Sequence, residues 1–307
     1  MNQTNGTEVT EFVLLGLSSS SEVQPVLFFL FLVLYLLTML GNGLIIITVT
    51  SDQNLRSAPM YFLLCNLSFQ DLCYSTVTVP NMLSHLGTQH KTISFQGCIA
   101  QIFFFHFTGS TEIFILTIMA YDRYIAICRP LHYEVIMNQH TCWVLAGTSV
   151  VGGVIHSITQ VMLILHLPFC GPNELDNFYC DIPQVIKLAC TNTFVVELLM
   201  VSNSGLVTLL CFIVLLISYI VLLVRIRNHL AEGKNKALST CASHLMVVTL
   251  VFVPCVYIYA RPFQIFPADK LVSILYTVIT PMLNPLIYTL RNAEMKNAMK
   301  RMWNYSI

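Results

Sequence analysis

Ionisable side chains, among them Asp71, Glu112 and Arg123, lie within long apolar stretches of this 307-residue chain, where a charge is costly and is usually kept for a function. Asp71 lies about twelve residues into its stretch, and Glu112 precedes Arg123 by eleven residues in the next. At 1.5 Å per helical residue, both acids are predicted to lie roughly 15–18 Å from the end that carries Arg123. Two carboxylates at that depth cannot both stay ionised without a cation. The sequence therefore predicts either an ion such as Na⁺ or a water cluster between them, or a structural pair that shares one proton.

The apolar stretches that carry these residues dominate the composition. The chain is 56 % hydrophobic and 10 % charged, whereas a soluble domain is about one quarter charged. Each of seven stretches reaches the ~20 residues that a helix needs to cross a bilayer, and a helix satisfies its own backbone polar groups there. We therefore predict an all-α membrane protein, a seven-transmembrane helix bundle in one domain. The stretches cover approximately residues 24–50, 58–85, 95–128, 140–165, 195–226, 237–260 and 271–290.

The distribution of basic residues predicts the orientation of this bundle. With the N-terminus outside the cell, eleven Lys and Arg residues fall in inner segments and four in outer segments, in agreement with the positive-inside rule. We expect residues 1–23 to form an extracellular tail, residues 24–291 the transmembrane domain, and residues 292–307 a short amphipathic helix and cytoplasmic tail. The apolar face of that helix is predicted from the spacing of Met295, Met299, Met302 and Trp303.

Residues on the predicted outer side carry sites for covalent modification. Sequons begin at Asn2 and Asn5, and glycosylation is expected at both because the tail faces the lumen during synthesis. Four cysteines also lie on the outer side, where disulfides form. Four cysteines allow three pairings, and sequence alone does not choose among them. These cysteines are Cys98, Cys170, Cys180 and Cys190.

The sequence carries no motif for enzyme chemistry. It contains neither a G-x-x-x-x-G-K-[ST] phosphate loop nor an H-E-x-x-H zinc pair, and its nine histidines are dispersed. We therefore expect no catalytic residues.

Two other motifs lie at the ends of apolar stretches. Asp122-Arg123-Tyr124 sets an acid beside a base, and Pro285, between Asn284 and Tyr288, removes a backbone donor and provides a hinge.

These motifs carry a resemblance to a known family. Residues 119–133 (MAYDRYIAICRPLHY) are similar to the cytoplasmic end of the third helix in rhodopsin-like (class A) G-protein-coupled receptors, in the form found in olfactory receptors. Residues 236–244 (KALSTCASH) and 281–288 (PMLNPLIY) resemble the same branch, and the resemblance extends over about residues 12–303. It implies a receptor of the plasma membrane that binds a small volatile odorant. Its other partners would be membrane lipid and a heterotrimeric G protein of the stimulatory or olfactory type that raises cAMP, with no nucleic acid.

The resemblance also implies roles for residues at the cytoplasmic side. Arg123 is expected to contact the G protein. Asp122 would hold the guanidinium in the resting state, and Tyr219 and Tyr288 would accept it when the sixth helix moves. The full predicted switch set is Asp122, Arg123, Tyr124, Tyr219, His244, Asn284, Pro285 and Tyr288.

Two choices left open by the residues alone are favoured by the resemblance. It favours a cation, with Na⁺ as the candidate and Asp71 and Glu112 as its ligands, over the shared proton. It also favours the disulfides Cys98–Cys180 and Cys170–Cys190. No other cofactor is implied.

A ligand cavity is expected between the upper halves of helices three, five, six and seven. Its predicted walls are apolar with a few neutral hydrogen-bonding groups, which suits a small, mostly apolar, neutral molecule. Receptors for cationic amines usually have an aspartate where this chain has Phe105. The family usually has a tyrosine where this chain has Phe252, so the hydroxyl of an activation contact is missing. The predicted set is Ile102, Phe105, His106, Gly109, Ser110, Met200, Asn203, Ser204, Val207, Phe252, Cys255, Val256, Tyr259, Ile274 and Thr277.

Two alternatives stay open. A transporter or channel would carry substrate or ions without a G protein, although the chain shows neither a filter-like loop nor the internal repeat of transporters. An olfactory-like receptor that acts as a chemosensor outside the nose would have the same sequence features. A ligand-driven rise in cAMP separates the first alternative from an olfactory receptor but not the second.

Overall fold

The computed structural model describes residues 9–18, 20–88, 91–229, 234–261, 264–290 and 292–305. In chain order they form β1 (Glu11–Leu14), α1 (Gln24–Ser51), α2 (Gln53–Ser57), α3 (Pro59–Thr88), β2 (Thr92–Ser94), α4 (Phe95–Cys128), α5 (Tyr133–Ile136), α6 (Gln139–Leu165), β3 (Glu174–Leu175), α7 (Ile182–Ile186), α8 (Phe194–Met200), α9 (Val207–His229), α10 (Lys234–Tyr259), α11 (Ala268–Ile274), α12 (Thr280–Leu290) and α13 (Ala293–Tyr305).

Seven long helical spans result from these elements. The first, second, third, fourth and sixth spans are α1, α3, α4, α6 and α10. The fifth span joins α8 to α9 through a π-helical segment, Val201–Leu206. The seventh span joins α11 to α12 through a second π-helical segment, Leu275–Ile279. The predicted stretches thus coincide with helices, but the two π-helical segments were not predicted.

Six of the seven spans are apolar and long enough to cross a membrane, judged over the described residues by length and composition. The second span differs because polar side chains, among them Asn66, Gln70 and Asp71, interrupt its apolar sequence. Gln70 and Asp71 are buried between helices. The second span packs against the first and third spans, so its polar side chains face protein rather than lipid.

Short polar side chains begin the third and fourth spans. The Ser94 hydroxyl accepts a hydrogen bond from the Gly97 amide at 3.1 Å and caps the third span. Asn138 accepts from the Thr141 amide at 2.9 Å and caps the fourth. Pro285 lies inside α12, as the hinge prediction requires.

Two glycines allow the spans to approach backbone to backbone. A Cβ atom on Gly205, within the first π-helical segment, would collide with the backbone of Tyr259 and Ala260 at the end of the sixth span. A Cβ atom on Gly153 in the fourth span would collide with Thr111 in the third. The fifth and sixth spans therefore meet closely at the level where the ligand cavity is expected.

A three-stranded sheet covers the end of the bundle that is predicted to be the outer one. β1 lies between β2, with which it is antiparallel, and β3, with which it is parallel. Phe12 and Leu14 of β1 are fully buried. The predicted tail 1–23 therefore contains, in its described part, a strand that packs onto the bundle. The predicted glycosylation sites Asn2 and Asn5 lie outside the described residues.

The final helix α13 packs against the inner ends of the first and seventh spans. Met295 is fully buried, and Met299 is partly buried against the same core. Tyr61 donates a 2.8 Å hydrogen bond to Glu294, and Arg301 pairs with Asp52 at 2.5 Å. Much of the apolar face predicted for this helix thus contacts protein. The side chain of Trp303 lies outside the described part.

Candidate functional site

A cavity with about 760 Å³ of empty space, part of it open to solvent, lies between the third, fifth and sixth spans. Single residues of the second, fourth and seventh spans complete its wall. Most of the wall is apolar or aromatic, which is usual for small-molecule sites. The lining residues are Tyr74, Phe105, His106, Gly109, Ser110, Glu112, Ile113, Phe114, His156, Asn203, Ser204, Val207, Thr208, Cys211, Val251, Cys255, Tyr259 and Tyr276.

Nine of the fifteen residues predicted to contact a ligand line this cavity. Most lie at helical spacing on the third and fifth spans, which is the pattern from which they were predicted. These nine are Phe105, His106, Gly109, Ser110, Asn203, Ser204, Val207, Cys255 and Tyr259.

Ile102 and Met200 were predicted to line the cavity, and in this structure they lie above it and do not border it. They are buried in the apolar cluster around Cys98 and Cys180, beneath the outer sheet. The level of the cavity is lower than the sequence suggested because the loop after the fourth span packs down onto the third span.

The other four residues outside the cavity wall have partners within the bundle. Phe252 is fully buried and stacks on Phe212 with ring centroids 5.6 Å apart. The Thr277 hydroxyl donates to the Ser273 carbonyl at 2.7 Å. Ile274 packs in the aromatic cluster of the seventh span. Val256 is partly buried on the sixth span and does not border the cavity.

The sequence analysis missed nine lining residues. Thr208 and Cys211 continue the face of Ser204 and Val207 by one further turn, so a longer periodic count would have found them. His156 is a polar residue in an apolar span, which is itself a signal of an inward-facing side chain. The other missed residues are Tyr74, Glu112, Ile113, Phe114, Val251 and Tyr276.

A hydrogen-bonded roof closes the outer end of the cavity. Tyr259 donates to Asp181 at 2.8 Å, and Tyr179 donates to the same carboxylate at 3.3 Å. The hydroxyls of Tyr179 and Tyr276 are 2.6 Å apart. Burial raises the pKa of Asp181 to about 6, partly offset by these hydrogen bonds. The roof therefore connects the outer loop to the sixth and seventh spans.

Two disulfides hold this loop. Cys98 and Cys180 are joined, with Cα atoms 5.5 Å apart, and they pin the residue before Asp181 to the top of the third span. Cys170 and Cys190 are also joined, with Cα atoms 6.0 Å apart, and they close the loop on itself. The structure thus pairs the four outer cysteines as the resemblance implied.

The two buried acids differ in their surroundings. Both oxygens of Asp71 accept from the Asn284 amide at 3.0 Å. Oε1 of Glu112 is buried and, in the described residues, has no hydrogen-bond partner. The hydroxyl of Ser75, one turn from Asp71, and Oδ1 of Asn284 are likewise unpartnered within the described structure. Among described residues, no group of three or more His, Cys, Asp and Glu side chains could hold a metal ion.

Two of the eight predicted switch residues line a second cavity at the predicted inner end of the bundle. Arg123 and Tyr288 line it, and Nε of Arg123 and the hydroxyl of Tyr288 are buried without partners in the part of the chain described. Tyr219 and His244, from the fifth and sixth spans, form a hydrogen bond. Tyr124 is partly buried against the inner core.

Asp122 and Arg123 form no ion pair among the described side chains of this structure. Asp122 accepts a 2.8 Å hydrogen bond from Tyr133, in the short helix after the third span. The turn at 130–132 brings Tyr133 back to the acid, a contact that the neighbouring residues in sequence do not indicate. A resting-state contact of Asp122 with Arg123 stays a prediction.

Comparison with known proteins identifies the family. The profile of the olfactory receptor family matches residues 31–305. The chain is 60 % identical to human olfactory receptor 4Q2 over 97 % of its length and 95 % of that protein, and 58 % identical to human olfactory receptor 4N5 over 98 % of each. It is 55 % identical to mouse olfactory receptor 4M1 over 99 % of its length and 97 % of that protein. Together with the seven spans and the two cavities, these matches show that the chain belongs to the olfactory receptor family, multi-pass membrane proteins that bind odorants and couple to G proteins.

Proposed function

We propose that a small, mostly apolar, neutral odorant binds in the cavity between the third, fifth and sixth spans. In our proposal the occupied receptor activates a stimulatory-type G protein and raises cAMP. The observation that carries the proposal is the cavity wall, which is mostly apolar, with its few polar groups drawn from several spans. A cavity of this kind suits a ligand with an apolar body and one polar group.

The charges around the cavity support a neutral ligand. Among the described lining residues there is no Lys or Arg, and the one acid, Glu112, belongs to the Na⁺ site that we propose. Arg261, the basic residue of the outer mouth, pairs with Asp269 and lies between the rings of Tyr257 and Phe266, each 4.4 Å away. A carboxylate ligand would therefore lose its hydration without gaining a cation.

The sixth span supports a route from the ligand to the G protein. It carries Cys255 and Tyr259 in the ligand cavity and His244 in the contact with Tyr219 near the inner end. A ligand shifts an equilibrium only through its differential affinity for two states. An odorant that contacts the upper sixth span differently in the two positions of that span would shift the lower end, and with it the surroundings of Arg123.

The proposed orientation sets the N-terminus outside the plasma membrane. The disulfides at the loop end support it, because disulfides persist on the oxidising side of a membrane. The excess of Lys and Arg in the opposite segments supports the same direction.

The experiment is a cAMP reporter assay in cells that express the receptor, with a chemically broad odorant panel and two matched variants. Cys255→Phe fills the cavity from the sixth span, whereas Val253→Phe adds the same ring two residues away on an exposed face. We expect Cys255→Phe to lose the response at normal surface expression and Val253→Phe to keep it. A cavity-filled receptor with full potency, or a wild-type receptor that lowers cAMP, would contradict the proposal.

We also propose that Asp71 and Glu112 take part in holding Na⁺. Sodium is a hard cation that prefers oxygen ligands, and the unpartnered oxygens of Glu112, Ser75 and Asn284 fit that donor set. Bound Na⁺ would supply the positive charge that two buried carboxylates need to stay ionised. The alternative, one proton shared by the two acids, needs no ion.

A further inference from the structure

Several polar groups of the ligand cavity already have partners inside the protein. The Ser110 hydroxyl donates to the His106 carbonyl at 2.5 Å, one turn earlier in its own helix. The Tyr259 hydroxyl donates to Asp181 in the roof. These residues offer a ligand surface to pack against, because their donors are in use.

Oε1 of Glu112 also lies in this wall without a partner among the described residues. Four other polar residues of the wall form what we call the polar corner: His106, His156, Asn203 and Ser204. The imidazole rings of His106 and His156 face each other across the third and fourth spans, with centroids 5.8 Å apart. Nε2 of His106 and Nδ2 of Asn203 are buried without partners in the described residues. A buried polar atom without a partner is unfavourable, so an occupied cavity would offer it one.

Gln160 orients the Ser204 hydroxyl in the polar corner. This side chain is fully buried behind the wall, and its amide donates to the Ser204 hydroxyl at 2.6 Å. Ser204 thus accepts from Gln160 and keeps its own proton to donate. Nε2 of His156 is the next acceptor, 3.5 Å away. In the neutral tautomer that accepts at Nε2, His156 carries its proton at Nδ1 and can donate from that nitrogen.

We propose that the polar corner selects neutral odorants with one hydrogen-bond-accepting oxygen, such as ketones, aldehydes and esters. His156 and the Asn203 amide would donate to that oxygen, which has two lone pairs. Gln160 is a positioning residue, since it does not border the cavity and acts through Ser204. The inference rests on the ligand cavity of the proposed function and adds the chemical class of the ligand.

Charged ligands of the same size fit the polar corner less well. A carboxylate would meet no Lys or Arg among the described residues of the cavity wall. An ammonium group brings only donors, and the His156 and Asn203 donors would stay unsatisfied beside it. Glu112, the acid among the described lining residues, belongs to the Na⁺ site that we propose. A hydrocarbon would fill the cavity but leave the unpartnered atoms as they are.

The test compares matched odorants of equal carbon number: a ketone, a methyl ester, an alkene, a carboxylic acid and an amine. Asn203→Leu and His156→Phe remove donors while keeping the approximate volume. We expect each to raise the half-maximal concentration of the ketone and ester by about three- to tenfold, as loss of one hydrogen bond predicts, and to leave the alkene unchanged. Ser202→Ala is the control, because its exposed hydroxyl donates to the Leu198 carbonyl within its own helix and does not line the cavity.

The hydrogen bond from Gln160 to Ser204 is tested by a second set of matched variants. Ser204→Ala and Gln160→Leu should weaken the ketone selectively, whereas Ser204→Thr, which keeps the hydroxyl, should retain most of its potency. A purely structural role would lower the response to all odorants in parallel. An unchanged ratio of ketone to alkene potency across these variants would overturn the proposal, as would a wild-type receptor that responds best to the acid or the amine.

A second readout separates this inference from the proposed signalling. Ligand that binds only the folded receptor raises its melting temperature without any G protein. Purified receptor should be stabilised more by the ketone than by the alkene, and Asn203→Leu should abolish that difference. If the ketone stabilises the protein but cAMP does not rise, the proposed coupling to the G protein is refuted, whereas the proposed role of the polar corner is supported. Equal stabilisation by ketone and alkene would refute the polar corner itself.

Discussion

The hydroxyl of Tyr133 donates a 2.8 Å hydrogen bond to Asp122, the acid that directly precedes Arg123. Burial, together with the nearby Asp122 carboxylate, raises the pKa of the Tyr133 phenol, so the donor stays protonated at physiological pH. The turn after the third span thus occupies one oxygen of the acid that lies beside Arg123. Among described residues no ion pair joins Asp122 to Arg123.

Tyr133→Phe is expected to lower basal cAMP, because Asp122 would lose its competing donor and be able to hold the guanidinium of Arg123. Basal reporter activity, normalised to surface expression, measures the effect. Tyr121→Phe is the matched control, since its side chain is exposed on the outside of the same helix. A rise in basal cAMP in the Tyr133 variant would contradict this account of the acid.

Loss of the Cys98–Cys180 disulfide is expected to reduce surface delivery more than loss of Cys170–Cys190. The first link spans 82 residues and the second 20, so the chain-entropy model assigns them about 4.5 and about 3.3 kcal/mol. The first also fixes the residue beside Asp181. Flow cytometry of Cys180→Ser and Cys190→Ser tests the order, with Cys73→Ser, a free cysteine, as control. Peptide mapping that linked Cys98 to Cys170 or Cys190 would refute the pairing.

Glu112→Gln is expected to change basal activity and to flatten its dependence on Na⁺. Sodium held in the resting state would favour that state, and removing a ligand removes the preference. Basal cAMP production in membranes, measured across Na⁺ concentrations at fixed ionic strength, tests this. Glu174→Gln, on the exposed outer loop, should behave as wild type. Wild-type activity that depends on pH but not on Na⁺ would favour the shared proton instead.

Asp181 is expected to make the receptor less stable as pH rises. Its pKa is about 6 in the folded state against 3.8 in an exposed one, so folding favours the protonated acid. The stabilisation is complete below pH 3.8 and is lost as pH rises through about 6, amounting to about 2 kcal/mol between about pH 4.5 and pH 7.5. Thermal unfolding of wild type and Asp181→Asn at the two pH values isolates this contribution. If the variant shows the same pH dependence as the wild type, Asp181 is not its source.

Sequence patterns within single segments predicted the features that depend on local chain geometry. Apolar length predicted the seven helices, and helical spacing on the third and fifth spans predicted most of the cavity residues there, such as His106 and Val207. Because the outer loop packs onto the top of the third span, the cavity lies deeper than the helical spacing predicted, and Ile102 does not line it. The π-helical segments change the register of the fifth and seventh spans, and no sequence period signals them.

Such patterns did not predict the contacts between segments that are far apart in sequence. The strand Glu11–Leu14 pairs with segments about 80 and about 160 residues away. Both partner strands are too short to show an alternating strand pattern in the sequence. The contact of Tyr133 with Asp122 depends on a single 3-10 turn. His156 lies in the cavity because Gly153 lets the fourth span approach the third. Each of these depends on packing that only the folded chain reveals.

Arg123→Ala tests the central claim, that this chain converts odorant binding in the outer cavity into G-protein activation at the inner one. The measurement is odorant-driven cAMP in cells with matched surface expression, together with odorant-induced thermal stabilisation of the purified variant. We predict that stabilisation persists because the ligand cavity is intact, while the cAMP response disappears because the G-protein contact is lost. A full cAMP response from Arg123→Ala would contradict the account.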